Sequence, residues 1–237
     1  MLGSTGSVGR STLDVLRRQR DHFAVVALTC GRNREEFARQ VAEWRPAFAG
    51  LAVPGADERW PCGPEVLVEA ATRPDVDIVV NAVVGAAGLD ATLAALHAGK
   101  RVALANKESL VMAGDLVVQA ACAGGGEIVP VDSEHSAVLQ CVAGRDAGLG
   151  RLILTCSGGP FREWAEERVH RATVEEALRH PTWRMGQKIT VDSATLANKA
   201  LEVIEAHYLF RLSYDALEVV VHPQSIIHAF VEFFDGR

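Results

Sequence analysis

Gly3-Ser4-Thr5-Gly6-Ser7-Val8-Gly9 (GSTGSVG) stands two residues into the chain and leads at once into Arg10–Arg20, where Leu13, Val15 and Leu16 make a helical apolar stripe. Glycines at this spacing let backbone approach a pyrophosphate, and the helix that follows aims its free N–H groups at the same point. The loop by itself is equally an ordinary glycine-rich turn, so its surroundings have to decide. They do so by alternation. Phe23–Thr29 reads as a buried strand, Glu35–Trp44 as a helix stopped by Pro46, and Phe48–Val53 as a short strand. A loop over Ala56–Gly63, a helix over Glu65–Thr72 and a strand over Val76–Val80 come next, then a small-residue loop over Asn81–Gly88. Leu89–Ala98 is a helix, Arg101–Leu104 a strand, Leu110–Ala123 a helix ended by Gly124-Gly125-Gly126, and Glu127–Val131 a strand. Strands and helices taking turns in this way predict right-handed βαβ units around a parallel sheet.

The expected fold class is therefore α/β: a Rossmann-like, parallel-sheet nucleotide-binding domain over residues 1–131, followed by an α+β domain over 132–237. The rhythm changes from Asp132 onward. Arg151–Thr155 is a strand, Cys156–Pro160 a glycine-containing loop and Thr173–Arg179 a short helix. His180–Gly186 is a loop, Ser193–Phe210 a long helix, and Glu218–His222 and Ile226–Phe233 are strands. Only Met1 and Leu2 precede the glycine loop, where a strand of about 5–6 residues is usual. The chain stops at Asp235-Gly236-Arg237, a hairpin-turn sequence with no returning strand. Both ends are thus expected to be clipped.

Composition narrows the function classes. The 237 residues are 49% hydrophobic and 23% charged, a globular balance, and the net charge of −6 provides no basic field for nucleic acid. No apolar run reaches the roughly 18 residues of a membrane span, and the N-terminus does not read as a signal peptide. Five scattered cysteines without CxxC spacing read as reduced thiols, so a cytoplasmic protein without a zinc site is expected.

Three groups of residues carry chemistry. NAD sites place an acid at the end of the second strand; here Gly31-Arg32-Asn33-Arg34 stands there, and a guanidinium suits the 2′-phosphate of NADP. Asp132-Ser133-Glu134 follows a strand, and in an extended chain residues i and i+2 point the same way, which would aim both carboxylates at the ligand-binding edge of the sheet. Such oxygen donors suit Mg²⁺ or Mn²⁺. A DxE is also read as two surface acids or a helix cap. On the long helix, Asn198 and Glu202 share a face and Lys199 lies three residues before Glu202, which could complete a metal site or be a plain surface pair.

Features suited to phosphate form the third group. Ser157-Gly158-Gly159 can make a backbone anion nest, Ser193 is expected at the N-terminus of the long helix, and Lys199 adds positive charge. His180-Pro181-Thr182-Trp183-Arg184-Met185-Gly186 carries apolar residues in a loop, as a lid does, although its Trp could equally pack on the core.

Taken together, GSTGSVG (3–9), LANKESL (104–110), PVDSEHS (130–136), SGGPFR (157–162), HPTWRMGQKITVDSATLANKALEVIE (180–205) and HPQSIIH (222–228) resemble the 1-deoxy-D-xylulose 5-phosphate reductoisomerase family, in that family's order and over nearly the whole chain. The resemblance implies conversion of 1-deoxy-D-xylulose 5-phosphate, a phosphorylated ketose, to 2-C-methyl-D-erythritol 4-phosphate, the committed step of non-mevalonate isoprenoid synthesis. It implies NADPH and a divalent metal (Mg²⁺, Mn²⁺ or Co²⁺) as cofactors, a homodimer, and a C-terminal helical domain that is missing here. By the same resemblance Asp132, Glu134 and Glu202 are metal ligands. Ser133, Ser157, His180, Ser193, Asn198 and Lys199 hold substrate and its phosphate, Lys107 lies at substrate beside the nicotinamide, and Trp183 and Met185 form the lid. Thr5, Gly6, Ser7, Val8, Gly31, Arg32, Asn33, Asn106, Glu108 and Gly186 contact NADPH. Lys107, Glu134, His180 and Glu202 are the residues implied to be catalytic. Two other readings stand beside this one: a fragment that binds little, and a generic NADP dehydrogenase acting on a phosphorylated substrate without need of three carboxylates.

Overall fold

The computed structural model describes residues 1–54, 59–145 and 148–236, so part of the loop expected over 56–63 and the last residue of the expected terminal turn lie outside it. The chain divides into two compact units, Met1–Val131 and Asp132–Arg237.

In the first unit the elements are α1 (Ser7–Arg17), β1 (Ala27–Cys30), α2 (Arg34–Trp44), β2 (Phe48–Leu51), α3 (Glu65–Thr72) and β3 (Ile78–Asn81). They continue with α4 (Leu89–His97), β4 (Arg101–Leu104), α5 (Lys107–Gly124) and β5 (Glu127–Pro130). All strand pairs are parallel, in the orders β1-β2 and β3-β4-β5. The two residues before the glycine loop join these sheets. The Thr29 amide donates to the Met1 carbonyl and the Gly3 amide to the Thr29 carbonyl, while the Leu2 amide donates to Val80 and the Ala82 amide to Leu2. Met1–Leu2 thus acts as a strand between β1 and β3, the place where a doubly wound sheet reverses its strand order and opens a crevice for ligands. The loop from Gly3 to Gly9 leaves from that point.

Burial explains the alternation. Leu13, Leu28, Cys30, Phe37 and Leu51 form one core, with Trp60 edge-on to Phe37 at 5.1 Å between ring centroids. Full burial of a side chain such as Phe37 contributes roughly 1.5–3 kcal/mol. Gly9 belongs to this packing, because a Cβ there would collide with the carbonyl oxygens of Gly3 and Ser4. Helix α5 begins at Lys107, three residues before the apolar pattern announces it, because Asn106 caps it: Oδ1 accepts the Ser109 amide at 2.9 Å.

The second unit contains α6 (Ser133–Val142), β6 (Leu149–Cys156), α7 (Glu166–Val169), α8 (Val174–Ala177), α9 (Gln187–Ala194), α10 (Ala197–Phe210), β7 (Leu217–Val221) and β8 (Ala229–Phe233). Its mixed sheet runs β7-β6-β8, with β7 parallel and β8 antiparallel to β6. Val138 of α6 and Ala206 of α10 pack with Leu152 and Leu154 of β6 in one core.

Two expectations are corrected here. Asp132-Ser133-Glu134 is not extended: Asp132 is the N-cap of α6 and Glu134 lies in its first turn, an arrangement favoured where backbone N–H groups lack partners and the helix dipole attracts negative charge. The helix expected over Ser193–Phe210 is two helices, broken at Thr195, whose backbone is extended and whose Oγ1 accepts the Ala197 amide at 3.3 Å. That local bond competes with the helical one, and no glycine or proline marks it. Ser193 therefore sits near the C-terminal end of α9, and no helix N-terminus operates there.

Candidate functional site

In the first unit the expected cofactor residues gather at the C-terminal ends of the parallel strands. Gly6 is the N-cap of the eleven-residue α1, with Ser7 and Val8 in its first turn. Thr5 Oγ1 donates to Cys30 Sγ at 3.5 Å, which ties the glycine loop to the end of β1. Gly31 and Arg32 follow directly, with Arg32 exposed, and Asn33 caps α2 by accepting the Glu36 amide at 3.2 Å. Asn106, at the end of β4, is buried; its Nδ2 donates to the carbonyls of Val83 (2.7 Å) and Gly85 (2.9 Å) and to Glu108 Oε2 (3.2 Å). One side chain thereby holds the loop after β3 against the loop after β4. Lys107, 8% exposed, is the first residue of α5. The edge so formed offers a helix N-terminus, backbone amides and an exposed guanidinium, with no carboxylate at the end of β1 to repel a 2′-phosphate.

In the second unit three carboxylates converge. Asp132 and Glu134, from the start of α6, and Glu202, from α10, bring one oxygen each to within 4.8 Å of one another. Glu202 is 1% exposed. Lys199 Nζ donates to Glu134 Oε1 at 2.8 Å and pairs with Glu202 as well, and Asn198 Nδ2 donates to Glu202 Oε1 at 2.6 Å. Ser133 Oγ donates to Glu134 Oε2 at 2.6 Å. Burial opposes the Lys199 charge, but Glu202 and Glu134 outweigh it and hold the ammonium above the usual lysine range. Clustered buried carboxylates repel one another unless a cation lies among them. An all-oxygen set of this kind fits a hard divalent ion, so the residues present suit Mg²⁺ or Mn²⁺.

A polar group built on the β6 end lies next in the chain. Ser157 Oγ is 3.1 Å from His180 Nε2, while His180 Nδ1 accepts the amides of Thr182 (3.2 Å) and Trp183 (2.9 Å). Two donors at Nδ1 leave the proton on Nε2, so the imidazole donates to Ser157. Burial pushes the His180 pKa down. Gly159 has φ +68°, and a Cβ on it would collide with the Ser193 carbonyl oxygen, so the Ser157–Gly159 loop lies directly on α9. Ser193 Oγ itself donates back to Ile189 at 2.7 Å. Trp183 is 44% exposed with its ring 6.1 Å from that of His228, Met185 is half-buried, and Gly186 is the N-cap of α9. Burial pushes the Cys156 thiol up.

Sequence reasoning missed His135 and Glu205. Both are buried, and each stands three residues after a carboxylate already singled out, Asp132 and Glu202. Helical i,i+3 spacing was the available signal. All five cysteines are free, and no helix among the described residues is long and apolar enough to cross a membrane.

Comparison with known proteins gives consistent matches. The family model for 1-deoxy-D-xylulose 5-phosphate reductoisomerase matches residues 1–114, and the model for that enzyme's C-terminal domain matches 128–210. The 1-deoxy-D-xylulose 5-phosphate reductoisomerase of Heliobacterium modesticaldum is 53% identical over 249 residues, covering 100% of the chain and 64% of the relative. That of Desulfitobacterium hafniense is 48% identical, covering 100% and 65%. Among solved structures, DOX-P reductoisomerase in complex with NADPH, fosmidomycin and magnesium superposes with a TM-score of 0.93 at 43% identity, covering 100% of the chain and 64% of that structure. The Zymomonas mobilis enzyme in complex with NADPH gives 0.87 at 44% identity, covering 100% and 64%. The chain thus spans just under two thirds of the length of these relatives.

Proposed function

The chain belongs to the 1-deoxy-D-xylulose 5-phosphate reductoisomerase family, and from that premise we propose that it takes part in the NADPH- and divalent-metal-dependent isomerisation and reduction of 1-deoxy-D-xylulose 5-phosphate to 2-C-methyl-D-erythritol 4-phosphate, in the cytoplasm and as a homodimer. This is the committed step of non-mevalonate isoprenoid synthesis. Residues 1–131 serve as the NADPH-binding domain and 132–237 as the metal- and substrate-binding domain. The observation that carries the reading is the convergence of Asp132, Glu134 and Glu202 from two separate helices, with an ammonium already paired to two of them.

Under this reading Asp132, Glu134 and Glu202 hold the metal, which when bound supplies Lewis-acid stabilisation of negative charge developing on substrate oxygens. NADPH, held by Thr5, Gly6, Ser7, Val8, Gly31, Arg32, Asn33, Asn106, Glu108 and Gly186, supplies the hydride. The chain's own residues do the positioning. The N-terminus of α1 and the Arg32 guanidinium take the cofactor's phosphates, and Asn106 keeps two loops in register beneath it. Ser133, Ser157, His180, Ser193, Asn198 and Lys199 hold the substrate and its phosphate, and the binding energy of that phosphate handle orients the reaction. The imidazole of His180, with its hydrogen on Nε2, directs the Ser157 hydroxyl. Lys107 lies at substrate beside the nicotinamide, and Trp183 and Met185 close over the substrate and exclude water.

The test is NADPH oxidation followed spectrophotometrically with the phosphorylated ketose and Mn²⁺. Turnover that disappears with EDTA and in Glu202→Gln is expected. Turnover that persists through both would instead favour a metal-independent NADP dehydrogenase.

A further inference from the structure

A second constellation lies one layer behind the three carboxylates. His135, in the first turn of α6, is fully buried, and Glu205, one turn beyond Glu202 on α10, is 3% exposed. His135 Nε2 is 2.9 Å from the Glu202 carbonyl oxygen. A carbonyl only accepts, so Nε2 carries the hydrogen and donates it. The other ring nitrogen, Nδ1, faces Asp132 Oδ2 and Glu205 Oε2, each at 3.9 Å. The Phe210 ring stands 6.2 Å from the imidazole, centroid to centroid. One buried ring therefore bonds to the backbone of one carboxylate residue, Glu202, and stands 3.9 Å from the side chain of another, Asp132, which caps a different helix.

We propose that His135, bonded to the Glu202 carbonyl and flanked by Glu205, is a positioning residue that sets the spacing between Asp132 and Glu202 and thereby the divalent-ion affinity of their site. The inference rests on the reading of Asp132, Glu134 and Glu202 as the metal-holding group. Ligand oxygens drawn from two helices keep their spacing only if the helices are kept from sliding past one another. Hydrophobic packing of Val138 and Ala206 against β6 is non-directional and resists such sliding weakly. An imidazole bonded to one helix's backbone and set against the other's carboxylate is directional. Outer partners of this kind carry about 10–100-fold in metal affinity.

The experiment is Mn²⁺ titration calorimetry on the full chain, beside thermal melting without metal, for the wild type, His135→Gln, Glu205→Gln, Asp132→Asn and the core variant Val138→Ala. Glu205→Gln preserves shape and keeps the test open should His135→Gln fold poorly. The expected result is a Kd for Mn²⁺ raised at least tenfold in both outer variants. Val138→Ala, which is destabilised without touching a carboxylate, should bind Mn²⁺ as the wild type does. Wild-type affinity in Glu205→Gln and His135→Gln, or a loss matched by Val138→Ala, overturns the proposal. The two readings fail separately: undiminished binding in Asp132→Asn removes the metal-site reading itself, whereas loss in Asp132→Asn with full affinity in the outer variants removes only the role given to His135.

Discussion

Lys199 Nζ donates to Glu134 Oε1 at 2.8 Å across 65 positions of chain, and both partners are largely shielded from water. The same ammonium pairs with Glu202 on its own helix. A buried positive charge thus neutralises carboxylates that would otherwise repel one another, at the point where a divalent cation would do the same.

Lys199→Met should accordingly destabilise the metal-free protein by about 3–5 kcal/mol, the usual cost of leaving a buried charge without its partner. Added Mg²⁺ should then raise the melting midpoint of the variant by more degrees than that of the wild type, since metal now replaces a missing countercharge. Equal Mg²⁺-induced shifts in the two proteins would show that Lys199 and the metal do not share these carboxylates.

The same pair sets a pH dependence at the alkaline end. The folded-state pKa of Lys199 is raised, so its stabilising contribution is fully present below the unfolded value of about 10.4 and disappears as pH climbs through the higher folded value. Chemical denaturation of wild type and Lys199→Met between pH 8 and 11 should show a stability difference that is constant up to about pH 10 and narrows above it.

His180 works in the opposite direction. Its folded pKa lies below the ordinary histidine value, so the contribution of the neutral ring is present above about pH 6.5 and is lost as pH falls through the depressed folded value. Protonation puts a hydrogen on Nδ1, which then can no longer accept the Thr182 and Trp183 amides. The imidazole resonances of His180, followed by NMR, should titrate below the ordinary histidine value, and the Trp183 amide should shift with them. Titration at the ordinary value with an unmoved Trp183 amide would remove this link.

Gly159→Ala should cost more than about 1 kcal/mol, because a residue with φ +68° gains strain on acquiring a Cβ and here that Cβ meets the Ser193 carbonyl. Inorganic phosphate affinity should fall with it, since the substitution pushes the Ser157 loop off α9. Melting and phosphate titration of the one variant check both parts.

Asn106→Ala removes a helix cap, at about 1 kcal/mol, and strips a donor from two loop carbonyls, at roughly 1–3 kcal/mol for buried groups. The melting midpoint should drop, and NADPH affinity should fall with it because the loops after β3 and β4 are no longer tied. A full loss of stability with unchanged NADPH affinity would confine Asn106 to a structural part.

The parallel architecture of the first unit was legible in the order of residues. Val76–Val80, Arg101–Leu104 and Glu127–Val131 are short apolar runs parted by helical stripes and glycines, and period and turn chemistry act locally. Strand pairing was beyond that reading. That Met1 and Leu2 bridge β1 and β3 depends on hydrogen bonds to residues 25 and more positions away. The residue types of the candidate metal group were legible as well, since acids, an amide and a lysine at fixed spacings are visible in the chain itself.

The amino-acid order by itself determined which segments alternate as strand and helix, which chemistry each loop carries, and which family the chain belongs to, because these follow from local periodicity and recurring motifs. Tertiary structure alone decided that Asp132 caps a helix and does not extend a strand, that Thr195 breaks the expected long helix, and that His135 and Glu205 lie behind the carboxylates. The cap and the break turn on competition between nearby hydrogen bonds, where the sequence left more than one outcome open, whereas the place of His135 and Glu205 depends on distant segments meeting in a dry interior, which no single stretch of the chain encodes.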